Sequence, residues 1–283
     1  MPSEAQAPEM TKATTDTARD YYTSDDAVEF YSTVWGGEDI HVGLYDDTKD
    51  IREASVRTVD RMAQTVGDLS GKTVLDIGAG YGGGARRIVK EHDAGHVTCL
   101  NIAPAENARN RKLTAEQGLS DRIVVVEGSF DDLPFDDASY DVVWSQDAIL
   151  HAPDRGAVLS EVARVLKPGG DFIFTDPMQA DGIEDTSSLK PIYDRIHLAN
   201  LASFGFYRDA LQQRGLEEVR IDDLSPQLRN HYAQVAEDLD AQRGELSTDD
   251  AFVDRMLEGL GHWVRGADAG KLTWGIMHFR KQG

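Results

Sequence analysis

The feature that most constrains the fold is a regular alternation of short apolar segments with helical patterns between residues 73 and 175. The apolar segments are typical of buried strands and lie at 73–77, 96–100, 122–127, 140–144 and 171–175. Strands that alternate with helices form a parallel sheet with right-handed crossovers, which binds ligands at the carboxyl ends of its strands. With two later strands, the sequence predicts a doubly wound α/β fold around a mostly parallel seven-stranded sheet.

The segments around this alternation predict the rest of the organisation. Residues 1–20 lack the charged start and apolar run of a signal peptide and are expected to form a flexible leader. Helical patterns in 21–67 predict an amino-terminal lid before the sheet domain at 68–223. The mostly helical segment 224–269 is too long for a hairpin loop, so we expect a cap beside the site. Residues 270–283 are expected to return to the sheet as its final strand.

Charge and cysteine content limit the partners and the compartment. The chain carries 50 Asp and Glu against 29 Lys and Arg, a net charge of −21, so no face is expected to follow a nucleic-acid backbone. No run approaches the roughly 20 apolar residues of a membrane span. Cys99 is the only cysteine and cannot form an internal disulfide, which fits a reducing cytoplasm. The dispersed acidity favours adaptation to a salty cytoplasm, and the oligomeric state stays open.

A glycine-rich loop follows the first strand, with the sequence Asp-Ile-Gly-Ala-Gly-Tyr-Gly-Gly at 76–83. Both NAD and S-adenosylmethionine (SAM) sites need a tight turn that lets the backbone approach the ligand, so the glycines alone leave the cofactor open. Asp76 favours SAM, because a carboxylate there can complement the cationic amino-acid end of SAM without a pyrophosphate to repel it. The alternative role of Asp76 is to cap the turn.

Three later motifs accompany the loop: Leu-Pro-Phe at 133–135 between aspartates, Tyr-Asp-Val-Val-Trp at 140–144, and Leu-Lys-Pro-Gly-Gly at 166–170. Together, over about residues 73–176, they resemble class I SAM-dependent methyltransferases. The resemblance implies a Rossmann-like fold, SAM as methyl donor, S-adenosylhomocysteine (SAH) as product and no metal. The implied cofactor contacts are Asp76, Gly78, Ala79, Gly80, Asn101, Ile102, Ser129, Phe130 and Gln146.

Asn101 departs from the pattern of that class. It ends the second strand, where most members carry an Asp or Glu that accepts both ribose hydroxyls. An Asn side chain offers one acceptor group and one donor group, so it would hold the diol differently. The alternative is that Asn101 is a turn residue.

The fourth strand runs into Ser-Gln-Asp-Ala-Ile-Leu-His at 145–151. Asp147 and His151 are four residues apart, a spacing that places two side chains on one helical face. In class I methyltransferases this region opens on the transferred methyl group. The alternative is a helix-capping Asp with a surface His.

Two resemblances indicate a small amine as acceptor. The tyrosine-rich segment 22–41 and Asp-Ala-Ile-Leu-His at 147–151 resemble phosphoethanolamine methyltransferases, which implies that Tyr22 pairs with His151 and that Tyr31 and Asp147 lie near the amine. A resemblance that covers nearly the whole chain after the leader is to sarcosine/dimethylglycine N-methyltransferases, which make betaine. It is carried by residues 35–45, 100–104, 144–147, 175–178 and 270–275.

Methyl transfer requires a neutral amine lone pair behind the methyl group, whereas a free alkylammonium has a pKa of roughly 10. We therefore predict that His151, helped by Tyr22, accepts the proton and that Asp147 binds the ammonium. Aromatic faces can contact a quaternary ammonium, and an arginine can hold a carboxylate. Together with Met178 in the matching segment, the candidates for substrate contact are Tyr31, Trp35, Arg195, Tyr207, Arg208 and Trp274, with the pair His231 and Tyr232 as a further possibility.

Other functions stay open at this point. A phosphoethanolamine acceptor is disfavoured because no Lys/Arg cluster accompanies the lid. An O-methyltransferase would use His151 to deprotonate a hydroxyl. A SAM-binding regulatory protein without chemistry and a nicotinamide dehydrogenase are the alternatives from other classes.

Overall fold

The computed structural model describes residues 30, 33–35, 37–196, 198–246 and 248–283. The strands are β1 (Thr73–Ile77), β2 (His96–Asn101), β3 (Ile123–Glu127), β4 (Tyr140–Gln146), β5 (Leu166–Thr175), β6 (Met178–Gln179), β7 (Leu216–Asp223), β8 (Leu272–Thr273) and β9 (Gly275–Lys281). The helices are α1 (Ile51–Val66), α2 (Gly83–Glu91), α3 (Pro104–Glu116), α4 (Arg155–Val165), α5 (Lys190–Arg195), α6 (Phe204–Gln212), α7 (Ser225–Ala241) and α8 (Asp250–Asp268). Single 3-10 turns lie at Ile149–His151 and Ser187–Leu189.

Seven strands form the main sheet in the order β3-β2-β1-β4-β5-β9-β7. The first five strands are parallel, and β9 lies antiparallel between β5 and β7. This architecture confirms the predicted mostly parallel, doubly wound sheet. Strand order reverses between β1 and β4, because the chain builds β2 and β3 on one side of β1 before it crosses to β4. Such a reversal leaves a crevice at the carboxyl ends of the strands.

The sheet is covered by helices on both faces, which explains why its central strands are almost continuously apolar. On one face, residues of α1 and α2 pack with Trp144 and Ile173. On the other face, residues of α4 and α6 pack with Phe172 and Phe174. A third apolar cluster joins residues 30–51 to α5, α7 and α8, so the segments predicted to form the lid and the cap share one core.

Two segments differ from the sequence prediction. The sequence of residues 189–201 is typical of a helix, but the helix ends at Arg195. Ile196 N donates there to Ile192 O, and Leu198 N donates to Tyr193 O, which closes the last turn. The single final strand expected within residues 270–283 is divided at Trp274. Its first part pairs with β6 and its second part with β5 and β7.

Two features are absent from the part of the chain that the structure describes. No helix there is long and apolar enough to cross a membrane. No group of three or more His, Cys, Asp or Glu side chains there could hold a metal ion. Cys99 is fully buried, and burial raises the pKa of its thiol.

Candidate active site

The glycine loop after β1 presents its backbone to the crevice. Gly78 and Gly80 have φ values of +76° and +50°, a region that suits glycine. Gly78 N and Ala79 N both donate to Leu100 O, at 2.8 and 3.1 Å, which fastens the loop to β2. A Cβ atom at Gly78 would lie 2.3 Å from the Cβ of Ala148. The loop therefore depends on the absence of a side chain at Gly78.

A cavity lies against this loop at the carboxyl ends of β1, β2, β3 and β4. All nine residues predicted to contact the cofactor line it, and so do Asp147 and His151. The structure thus brings together side chains from four separate strand ends. The lining residues that the sequence analysis did not assign include Glu38, Asp39, Ile40, His41, Tyr81, Ala103 and Glu106.

Asp76 is a buried acid at the mouth of β1, with 5% of its surface exposed. Burial raises its pKa to about 7, nearby His41 opposes this shift, and Asp39 reinforces it. Its charged form is therefore costly unless a cation arrives beside it. The ammonium of SAM is such a cation.

Gln146 supplies a further test of whether SAM fits the cavity. Its Oε1 accepts from Trp144 Nε1 at 2.9 Å, which fixes the amide at the end of β4. Its buried Nε2 has no hydrogen-bond partner within the described part of the chain. A buried donor without a partner is costly and indicates that a ligand accepts there. Together with Asp76 and the bare glycine loop, it fits a ligand with a cationic end and several acceptors, as SAM has.

Asn101 does not act alone at the end of β2. Its Nδ2 donates to Glu106 Oε2 at 2.7 Å, and its backbone oxygen accepts from Asn107 Nδ2 at 2.9 Å. Glu106 lies in the first turn of α3, and burial raises its pKa. The sequence analysis missed Glu106, although its place just after Pro104 at a helix start, five residues beyond the strand end, was a usable signal.

Asp147 connects three distant segments. Its Oδ2 accepts from Val42 N at 2.7 Å, and its Oδ1 accepts from Trp274 Nε1 at 2.8 Å. Burial raises its pKa, opposed by His41 and by these hydrogen bonds. Its φ of +51° places it outside the following 3-10 turn, so Asp147 and His151 do not share a helical face. They meet by lining the same cavity.

His151 ends the 3-10 turn and faces the cavity. Burial lowers its pKa to about 4, helped by the charge of Arg155. The ring is therefore neutral near pH 7 and keeps a nitrogen lone pair that can accept a hydrogen bond.

His41 is a second lining histidine, and the sequence analysis did not assign it a role. Its Nδ1 donates to Val42 O at 3.1 Å, and its Nε2 lies 3.5 Å from Asp39 Oδ1. Burial lowers its pKa, but the Asp39 carboxylate, the Asp147 charge and the hydrogen bond to Val42 together make the net shift upward. The two lining histidines therefore differ, since His41 tends to carry charge and His151 does not.

The residues predicted to contact the substrate do not gather at this cavity. None of the six that the structure describes lines it: Trp35, Met178, Arg195, Tyr207, Arg208 and Trp274. Tyr22 and Tyr31 lie outside the described residues. Trp35 packs 4.9 Å from His231 and 5.8 Å from Tyr232 between ring centroids, so these three side chains form part of the lid–cap core.

Each of the other candidates has a different contact. Trp274 donates to Asp147, and fully buried Met178 lies in β6. Arg195 Nη2 lies 2.7 Å from Met256 Sδ on α8. Tyr207 donates its hydroxyl to Asp176 Oδ2 at 2.6 Å, and Arg208 pairs with Glu218 at 2.6 Å on the surface. Their roles in substrate binding stay predictions.

The strand order and the glycine loop at the β1–β4 crevice define a class I SAM-dependent methyltransferase. Residues 75–174 match the family described as a methyltransferase domain. The chain is 48% identical over 270 residues to a sarcosine/dimethylglycine N-methyltransferase of Halorhodospira halochloris, a match that covers 94% of this chain and 96% of that one. It is also 48% identical to a dimethylglycine N-methyltransferase of Parasynechococcus marenigrum, with the same shares covered.

A solved structure agrees with these relatives. A protein of Galdieria sulphuraria, provisionally named a sarcosine dimethylglycine methyltransferase, superposes with a TM-score of 0.86 at 47% identity, covering 91% of this chain and 99% of that one. The chain therefore belongs to the family of sarcosine/dimethylglycine N-methyltransferases, as the sequence resemblance predicted.

Proposed function

We propose that the protein transfers methyl groups from SAM to the amines of sarcosine and dimethylglycine, with betaine as the final product. The observation that carries this proposal is the charge of the cavity wall. Its described lining contains no lysine or arginine, whereas five carboxyl side chains line it: Glu38, Asp39, Asp76, Glu106 and Asp147. Such a wall attracts a substrate that arrives as an ammonium and gives a phosphate group no cationic partner.

The two halves of the cavity divide the work. When bound, SAM supplies an electrophilic methyl group. Asp76 and the Gly78–Gly80 backbone would hold its amino-acid end, and Ser129 with Phe130 would flank its adenine. Asp147 lines the same cavity just beyond β4, where its fixed oxygens would hold the acceptor ammonium. Positioning of this kind accounts for a large part of the rate of a bimolecular transfer.

His151 would receive a hydrogen bond from the amine as its proton leaves. Its lowered pKa, about 4, keeps it neutral and available at pH 7, but it also makes the ring a poor final holder of the proton. We therefore assign it to accepting that hydrogen bond and passing the proton on to solvent, which frees the amine lone pair to attack the methyl group. The predicted partnership with Tyr22 stays a prediction.

The test is an acceptor panel of glycine, sarcosine, dimethylglycine and phosphoethanolamine with SAM, read by mass spectrometry. We expect sarcosine and dimethylglycine to be methylated and phosphoethanolamine to be left unchanged. His151→Gln is expected to lower kcat by about 100-fold, the usual size of a lost proton-transfer group. His262→Gln, which alters a histidine that pairs with Arg265 on the surface of α8, is the matched control and is expected to leave kcat unchanged.

Three results would favour other functions. Turnover of phosphoethanolamine alone would contradict the proposed acceptor. Methylation of hydroxylated aromatics, with no methylation of any amine in the panel, would indicate an O-methyltransferase. Tight SAM binding with no turnover of any acceptor, unaltered by His151→Ala, would indicate a regulatory SAM-binding protein.

The acidic composition extends the proposal to the cellular setting. We propose that the enzyme works in a salt-rich cytoplasm and that its betaine serves as an osmoprotectant, because a net charge of −21 keeps a protein soluble at high ionic strength. Activity that persists in molar potassium chloride is expected. Loss of activity there would remove the link to salt and leave the methyl transfer untouched.

A further inference from the structure

We infer that Glu106, in the first turn of α3, is the acid that receives the ribose hydroxyls of SAM in place of the acid missing at position 101. The inference rests on SAM being the ligand of this cavity. Glu106 and Asn101 both line the cavity, and they are joined by the 2.7 Å hydrogen bond from Asn101 Nδ2 to Glu106 Oε2. The carboxylate thus lies next to the place where the strand ends.

A diol needs acceptors, and Asn101 is short of them. Two hydroxyls offer two donors, whereas the Asn101 amide has a single oxygen, and its nitrogen can only donate, as it does to Glu106. A carboxylate has two oxygens with about four lone-pair positions. Among the described residues no hydrogen bond reaches Glu106 Oε1, so that oxygen can accept from a hydroxyl while Oε2 remains bonded to Asn101.

The surroundings of Glu106 show that it is not held as half of an ion pair. Only 6% of its surface is exposed, and no cation lies within salt-bridge distance in the described chain. Arg109, three residues further along α3, lies 4.7 Å over the ring of Tyr81 and donates to Gly37 O at 3.4 Å. A nearly buried carboxyl group with one amide partner is costly, which is understandable if a ligand adds the missing donors.

Two neighbouring features hold the carboxylate in place. The start of α3 favours negative charge, because unpaired backbone N–H groups and the helix dipole point toward it. Asn107 is fully buried and donates to Asn101 O at 2.9 Å, which locks the strand end to the helix start. Glu106 therefore presents a carboxyl group to the cavity beside the end of β2, from the helix and not from the strand.

The test is calorimetric binding of SAH and of its 2′,3′-dideoxy analogue to the full-length protein. Glu106→Gln is expected to weaken SAH binding by about 10- to 100-fold, the range for hydrogen bonds to a charged group, and to leave the affinity for the dideoxy analogue unchanged. The swapped double variant Asn101→Asp with Glu106→Gln is expected to recover part of the SAH affinity. Glu116→Gln, at the far end of the same helix where Glu116 pairs with Lys112, is the matched control.

The outcomes separate this inference from the proposed function. Equal weakening of both ligands by Glu106→Gln would assign Glu106 a purely structural role and overturn the inference, as would unchanged SAH binding. A double variant that binds no better than Glu106→Gln would also contradict it. If the unaltered protein binds no SAH at all, the methyltransferase proposal itself fails. Thermal unfolding of each variant checks that the fold is intact.

Discussion

The two halves of the cavity are built in different ways. The SAM half consists of strand ends and turns that follow one another within residues 75–174, the range of the matched methyltransferase domain. The acceptor half depends on Asp147, whose oxygens are held by Val42, 105 residues earlier, and by Trp274, 127 residues later. One half is therefore a local product of the sheet, and the other exists only after the lid segment and the final strands have folded against it.

The physical character of the two halves also differs. The SAM half relies on bare backbone, with Gly78 and Gly80 at positive φ. The acceptor half relies on buried acids and histidines whose pKa values are shifted by burial and by one another. The SAM half is thus formed mainly by backbone, and the acceptor half by side chains whose charges depend on one another. Perturbing each half should change a different measured quantity.

The largest effect is expected from Gly78→Ala in the SAM half. Alanine at a positive φ costs about 1–2 kcal/mol, and its Cβ would lie 2.3 Å from that of Ala148, so the loop must move. A displacement of about 1 Å at a reacting site is enough to cost about 100-fold in rate. We expect a loss of at least that size in SAH affinity, measured by calorimetry.

Gly118→Ala is the matched control for Gly78. Gly118 has a similar φ of +70°, but a Cβ there meets nothing within 4 Å. It should therefore show the cost of backbone strain alone, as a lower unfolding temperature with normal SAH affinity. Equal SAH affinities for the two variants would mean that the glycine loop does not carry the cofactor.

A smaller and different effect is expected from Asp147→Asn in the acceptor half. The amide has one oxygen for two donors and carries no charge, so we expect kcat/KM for dimethylglycine to fall by about 10- to 100-fold. The SAH affinity should change less than about threefold, because a neutral substitution there leaves the loop intact. Steady-state kinetics together with calorimetry give both quantities.

Asp176 provides a close control for Asp147. It is also a buried aspartate, and its oxygens accept from Leu150 N at 2.9 Å and from the Tyr207 hydroxyl at 2.6 Å. It does not line the cavity. Asp176→Asn should therefore destabilise the fold by about 1–3 kcal/mol and spare kcat/KM. If both variants lost only stability, Asp147 would be structural and the two halves would not differ as described.

The same division determines how much the sequence could predict. Three parts of the site were predictable because each lies at or next to the end of a strand: the glycine loop, Asp76 and Gln146. Parallel strands bring those ends together. Glu106 was missed because its role depends on the geometry between β2 and α3. His41 was missed because nothing in its local sequence shows that the lid segment brings it to Asp147.

The candidates for substrate contact illustrate a second reason why the sequence could not predict the whole site. Helical spacing cannot reveal that β7 brings Glu218 opposite Arg208 and makes that side chain part of a surface ion pair. Nor can it reveal that Trp274 would donate to Asp147 rather than offer its face to a cation. Long-range partners decide what a polar side chain does, and a single sequence does not contain the distances between them.

The smallest expected effect is the pH dependence of the SAM half, which would sharpen the contrast because it isolates Asp76. Its pKa of about 7 means that the group loses its charge as the pH falls below 7 and then cannot pair with the ammonium of SAH. The SAH affinity should therefore fall between pH 7 and pH 6, by at most about tenfold. Asp76→Asn should bind more weakly at pH 8 and show a flat profile.

Stability should respond with the opposite sign. The pKa of Asp76 is raised from 3.8 to about 7 on folding, so the ligand-free folded state binds the proton more tightly and loses stability as the pH rises between those values. Asp76→Asn removes this loss, so at pH 8 the ligand-free variant should unfold at a higher temperature than the unaltered protein. The pKa of Asp176 is also raised, but Asp176 is present in both the unaltered protein and Asp76→Asn. Its effect therefore cancels when their unfolding temperatures are compared. If Asp76→Asn bound SAH with the same affinity as the unaltered protein from pH 5 to pH 8, the Asp76 carboxylate would cap the turn and would not bind the cofactor.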